Sequence, residues 1–119
     1  MQNFKEEFNK RLIRFSLHIL KFVKNLNKNR TLFPIIDQLI RSSTSIGANV
    51  MEAKSSSSKK DYIRYFEIAL KSANETKYWL ILIKEAMPSL NNEAERLLQE
   101  VKEIANILAS GILTMKGKK

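Results

Sequence analysis

Between Arg41 and Leu82 a helical pattern of unusually small residues gives way, through a run of serines, to a second helical pattern loaded with aromatic side chains. Leu39, Ile40, Ser43, Ile46, Gly47 and Val50 recur at three- and four-residue spacing, so they line one side of a helix. That side is thin. Ser42, Ser43, Thr44, Ser45, Gly47 and Ala48 let a neighbouring helix approach closely, and large residues from elsewhere must fill the remaining space. Tyr62, Tyr65, Phe66, Leu70, Trp79 and Leu80 supply that volume, so the chain is expected to fold by packing helix against helix.

Nothing else in the sequence competes with that reading. Glycine and proline are scarce, Leu, Ile, Lys, Glu, Ala and Asn are abundant, and no stretch alternates with period two long enough to make a strand. The fold class is all-α. A length of 119 residues with 44% hydrophobic content suits a single domain with one core, spanning 1–119. The chain has no cysteine, hence no disulfide framework and no thiolate metal site, which fits a reducing cytoplasm. The first 30 residues lack an apolar signal region, and no run approaches the roughly 18 apolar residues of a spanning helix, so a cytoplasmic protein outside the membrane is expected.

Four helices are predicted, over about 4–27, 32–53, 59–87 and 92–115. Phe4, Phe8, Leu12, Phe15, Ile19, Phe22, Val23 and Leu26 fill one arc of the first helix. Lys10, Arg14, His18, Lys21, Lys24 and Lys28 occupy the opposite arc as a positive stripe, with Leu17 its one apolar member. Thr31 is the expected N-cap of the second helix, Pro34 falls in its first turn, and Gly47 implies close backbone packing rather than a break. Ser58 and Asp61 resemble a capping box opening the third helix, whose Tyr62, Phe66, Ala69, Ala73, Thr76, Leu80, Ile83 and Met87 follow a heptad-like spacing. Pro88 ends it. Asn91 or Asn92 is the expected cap of the fourth helix, with Leu97, Val101, Ile104, Leu108, Ile112 and Met115 as its seam. Short turns between such helices predict an antiparallel up-down-up-down four-helix bundle.

Arg41, Ser45, Ile46, Asn49 and Glu52 on the second helix, the turn closing at Ser58, and Phe66, Ala69, Leu70, Ser72, Glu75 and Leu80 on the third resemble a known pattern. It is that of the four-helix proteins first noticed as reading frames inside intervening sequences of bacterial 23S ribosomal RNA, which are related to the accessory variability determinant of diversity-generating retroelements. The resemblance implies a homopentameric, ring-like assembly that engages nucleic acid and a reverse transcriptase or another protein partner.

Chemical motifs are few. No phosphate-binding loop or dinucleotide turn is present, one histidine excludes a two-histidine metal site, and no Glu-x-x-His elements exist for a carboxylate-bridged metal, so neither metal nor cofactor is expected. Arg11 and His18 resemble the Arg-x6-His motif of the helical HEPN ribonucleases. His18 nonetheless sits in the basic stripe with no acidic neighbour in sequence to orient it, so we read it as a surface histidine and expect no catalytic residues. Arg41, Ser45, Asn49 and Glu52 form one polar line, which Glu75 could face from the third helix. They would make either a ligand-binding row or a satisfied polar seam that fixes helix register, and we take the seam. The aromatic run of the third helix reads as core or subunit interface rather than a base-stacking platform. Because Tyr65, Trp79 and Leu82 widen that apolar face beyond Phe66, Ala73 and Leu80, part of it is expected to meet another subunit, and the family resemblance implies that helices two and three form the interface.

Charge is the main functional signal. Lysine and arginine outnumber the acids 21 to 12, a net charge of +9, and residues 1–30 hold eight bases against two acids. Lys10, Arg14, Lys21, Lys24 and Lys28, with a second row of Lys60, Arg64 and Lys71, are the candidate contacts to RNA or DNA phosphates. A solvated face is the alternative for such rows. Three function classes follow: a non-enzymatic nucleic-acid-binding accessory protein, a scaffold meeting an acidic protein, and a basic amphipathic helix lying on a membrane surface. A first helix already packed on its neighbours disfavours the last.

Overall fold

The computed structural model describes residues 2–26 and 29–118. Four helices, α1 (Gln2–Lys24), α2 (Phe33–Lys54), α3 (Lys59–Ala86) and α4 (Asn91–Met115), pack compactly within 45 × 23 × 22 Å, and no strand occurs among the described residues. Each helix buries the face its spacing dictates. Leu12, Phe15, Ile19 and Phe22 come inward from α1 and Leu26 from the turn after it, Leu39, Ile46 and Val50 from α2, Ala69, Ala73, Leu80 and Ile83 from α3, and Leu97, Val101, Ile104 and Leu108 from α4. Every leucine or isoleucine sealed this way contributes on the order of 1.5–3 kcal/mol.

α2 and α3 share the longest interface, followed by α3 with α4, and α1 lies against α2 and α4. α1 and α3 therefore stand diagonally across the assembly. Ser45 meets Ser72 while Ser42 meets Thr76, so residue numbers rise along α2 as they fall along α3. Between α3 and α4 the ion pairs Lys84–Glu95 and Glu67–Lys116 have the same reversed order.

The thin side of α2 explains the closeness of its contact with α3. Ser42 and Ser43 are buried opposite Ala69, Ala73 and Thr76, so the two backbones approach without bulky side chains between them. Gly47 differs from expectation. A Cβ at this position would stand 3.6 Å from the Leu12 Cβ, an ordinary contact, so no unusually close backbone approach requires glycine there.

Several helix ends also differ. α1 stops at Lys24, where the amides of Asn25 and Leu26 turn to the carbonyls three residues back. The expected continuation to Asn27 and the stripe's Lys28 lie outside the described residues. Thr31 does not cap α2. Asn29 accepts from the Thr31 amide at 3.1 Å to open a single 3-10 turn, Arg30–Leu32, and α2 starts after it with Pro34 in its first turn and no side-chain cap. Ser58 caps α3 through the Asp61 amide at 3.1 Å, as the sequence implied, while the Asp61 carboxylate leans towards Arg64. Neither Asn91 nor Asn92 caps α4, because the turn Pro88–Leu90 leads straight into a helix that already includes both.

Candidate nucleic-acid interface

The outer face of α1 follows from its two arcs. With the apolar arc inward, Lys10, Arg14, Lys21 and Lys24 are exposed, and none is in an ion pair with a described residue. Four basic side chains elsewhere are tied down. Arg41 pairs with Asp37, Arg64 with Asp61 at 3.7 Å, Lys84 with Glu95 and Lys116 with Glu67. Of the predicted second row, Lys60 and Lys71 are exposed and in no ion pair with a described residue, whereas the Arg64 guanidinium also lies 4.9 Å from the centre of the Tyr65 ring. Because α1 and α3 are diagonal, the two rows belong to different sides of the molecule.

Arg11 sits at the edge of the basic arc nearest α4, where its Nε donates to Glu100 at 2.6 Å and its terminal nitrogen to Glu103 at 2.5 Å. This fork fixes the spacing of the two helices and leaves Arg11 committed to structure. The hydrogen bond to Glu100, with lesser support from Glu103, holds the guanidinium pKa above its usual range against partial burial. Glu100 is correspondingly held below the usual carboxylate range, first by the Arg11 hydrogen bond and then, against partial burial, by the charges of Arg11, His18 and Arg14. His18 thus has an acidic neighbour that the sequence did not place, contributed by α4.

Above that fork opens a cleft of about 820 Å³ between α1 and α4, to which Arg14, His18 and Lys21 contribute from α1 and Arg96, Glu93 and Glu100 from α4. Phe15, Phe22 and Leu97 form its floor. Arg96 was not among the predicted contacts. Its only sequence signal is its position four residues before Glu100, on the helix face turned to α1. No group of three or more His, Cys, Asp or Glu residues able to hold a metal occurs among the described residues, and no described helix is long and apolar enough to cross a membrane.

The predicted polar line is divided. Arg41 is exposed and held by Asp37 one turn earlier, Glu52 is exposed, and Glu75 accepts from the Trp79 indole N–H at 3.1 Å on its own helix, so Glu75 reaches neither Arg41 nor Asn49. Ser45 and Asn49 do belong to an interhelical seam. The Asn49 amide donates to Ser45, whose hydroxyl lies 3.0 Å from that of Ser72, and Ser42 with Thr76 extends the seam into the core.

The exposed apolar surface is not where the aromatic run suggested. Trp79 packs against the core, and Tyr65 and Leu82 are half-buried, while Tyr78 and Ile81 are the exposed members on α3. Leu17 is not alone on α1. Ile13, Leu17 and Leu20 form an exposed apolar strip, and the first two border a shallow groove floored by Gly47, Ala48 and Met51 of α2.

Four packed helices carrying an exposed basic row define a small all-helical, cation-rich protein class. Within it, the chain belongs to the family of 23S rRNA-intervening sequence proteins, whose sequence model matches residues 5–110. Among solved structures, the chain is similar to a protein with unknown function from the S23 ribosomal protein family of Bacteroides thetaiotaomicron VPI-5482. The two share 35% identity with a TM-score of 0.82, over 88% of this chain and 97% of that one. No curated protein matches.

Proposed function

We propose that the protein is a non-enzymatic, cytoplasmic accessory factor that binds RNA or DNA through the outward face of α1. The observation that carries this reading is the row Lys10, Arg14, Lys21 and Lys24, exposed over several turns and in no ion pair with a described residue, with Glu93 and Glu100 the carboxylates that share the cleft with Arg14 and Lys21. Such a row neutralises successive phosphates and releases their counterions, giving affinity that falls with salt and depends little on base sequence. Arg96, across the cleft, adds a charge from α4.

In this reading the domain is one antiparallel up-down-up-down bundle over the whole chain, and copies close into a head-to-tail ring. The apolar strip on α1 and α2 and the exposed Tyr78 and Ile81 on α3 are two different surfaces, as a heterologous contact requires. The interface so drawn includes α1, in addition to the second and third helices that the family resemblance implies. The resemblance to accessory variability determinants sets the number of copies at five and adds a reverse transcriptase as partner. A ring also repeats the basic face, raising avidity for a long polyanion.

The test is the substitution of Lys10, Arg14, Lys21 and Lys24 by glutamine, with binding to single-stranded and duplex probes followed by fluorescence anisotropy across a salt series. Affinity at low salt is expected to fall. For every phosphate that the variant no longer neutralises, the slope of log affinity against log salt shrinks by up to about 0.9 on duplex DNA, or about 0.7 on single strands. An unchanged slope in a folded variant rejects the α1 face as the site.

One observation favours a second reading. The apolar strip of Ile13, Leu17 and Leu20 runs beside the basic row, a combination suited to an acidic amphipathic helix of a partner protein. Capture of such a partner that survives nuclease treatment selects this scaffold role.

A further inference from the structure

At the end of the molecule where α1 and α3 begin and α2 and α4 finish lies a cavity of about 630 Å³, well away from the α1–α4 cleft. Its size falls within the roughly 300–1,000 Å³ of small-molecule sites. All four helices contribute to it. Phe8, Tyr62, Phe66 and Ile107 make apolar walls, with Tyr62 and Phe66 stacked at 5.1 Å. Gly111 keeps the α4 side open, since a Cβ there would stand 3.7 Å from the Phe66 ring and any larger side chain would start to fill the space.

Two features make this more than a gap in packing. Asn106 and Thr114, eight residues apart on α4, both line the cavity and give one wall hydrogen-bonding capacity. Lys5 from α1 and Lys54 from α2 contribute to the same cavity. Both are exposed, and neither forms an ion pair with a described residue. An apolar body seated between the aromatic walls would leave an acidic head group within the field of two ammonium groups and next to hydroxyl and amide donors.

We propose that this cavity binds a small anionic amphiphile, a carboxylic acid carried on a medium-length acyl chain. The chain covers Phe8, Phe66 and Ile107, and the carboxylate is held by Lys5 and Lys54. Neither residue belongs to the basic row of α1, so the site is independent of nucleic-acid binding.

Isothermal titration calorimetry of the full-length protein with decanoate, decanol and decyltrimethylammonium tests the proposal, because the three probes share one tail and differ in head-group charge. Saturable binding of decanoate at one molecule per chain is expected, with decanol at least tenfold weaker and the cation not bound. Lys5→Gln with Lys54→Gln should weaken decanoate about tenfold and leave decanol unchanged, and Thr114→Trp at the exposed rim should abolish both. Circular dichroism melts establish that the variants are folded. Absence of saturable decanoate binding, equal affinity for all three probes, or decanoate binding unaffected by the lysine substitutions would each overturn the assignment.

Discussion

Removing the Thr76 hydroxyl tests the α2–α3 seam most directly, because valine keeps the shape of threonine and leaves no cavity. Thr76 is fully buried and Ser42 is 4% exposed. The Thr76 hydroxyl lies 2.8 Å from the Ser72 carbonyl and 2.9 Å from the Ser42 hydroxyl. It has one proton, which goes to the carbonyl, so Ser42 supplies the proton between the two hydroxyls. Thr76→Val removes both bonds and leaves Ser42 only the Leu39 carbonyl at 3.3 Å. One net hydrogen bond is worth about 1 kcal/mol, and a poorly satisfied buried hydroxyl costs about 1 more, so a loss of about 1–2 kcal/mol is expected. Ser42→Ala leaves Thr76 still bonded to Ser72 and should cost about 1 kcal/mol or less. In the double variant no orphaned group remains, so its cost should fall below the sum of the singles by roughly 1 kcal/mol. Urea unfolding followed by helical circular dichroism measures all four corners of the cycle, and in heat each kcal/mol corresponds to about 4 °C for a chain of this length. Strict additivity, or a neutral Thr76→Val, would refute the proton assignment and with it the seam's contribution.

Glu100→Gln should cost about 1 kcal/mol at neutral pH, a modest figure because water reaches the Arg11 fork and Glu103 remains as a partner. Glu100 has a depressed folded-state pKa, so its contribution is complete above the ordinary carboxylate range and disappears as pH falls through the folded value. Urea titrations of wild type and variant should therefore converge in acid, and a gap that persists there would contradict the pairing. Leu17→Glu places a charge in the exposed apolar strip of α1, where a monomer would tolerate it. Light scattering at micromolar concentration should give a multiple of 13.8 kDa for wild type and a smaller mass for the variant, and a wild-type mass near one chain would rule out the ring.

The helical layout was legible because it depends on residue spacing within each element. The seam from Ala69 through Thr76 to Ile83, the inward arc of α1 and the Ser58 cap are all local patterns that packing reinforced. What the sequence hid depends on how far one helix covers another. Ile13 and Leu20 fall between the two arcs of α1, and whether they are buried is decided by how much of α1 is covered by α2, which a wheel cannot show. The Arg11 fork and the Arg96 contribution needed the knowledge that α4 lies beside α1. Glu75 was misdirected for a similar reason. A neighbour one turn away on its own helix, Trp79, satisfied it before any residue across the molecule could.

The diagonal placement of α1 and α3 constrains how the two basic rows can act together. The molecule is 22–23 Å across its short axes, so charges on opposite faces are separated by about twice the screening length of roughly 8–10 Å at physiological salt. Within one chain the rows are therefore nearly independent, and a single extended strand lying along α1 gains little from Lys60 or Lys71. Joint action requires either a polyanion long enough to wrap the molecule or an assembly that places the α3 row of one copy beside the α1 row of the next. In the second case the exposed apolar residues and the basic rows serve one geometry: contact through Ile13, Leu17, Tyr78 and Ile81 would set the spacing at which successive cations meet one phosphate backbone.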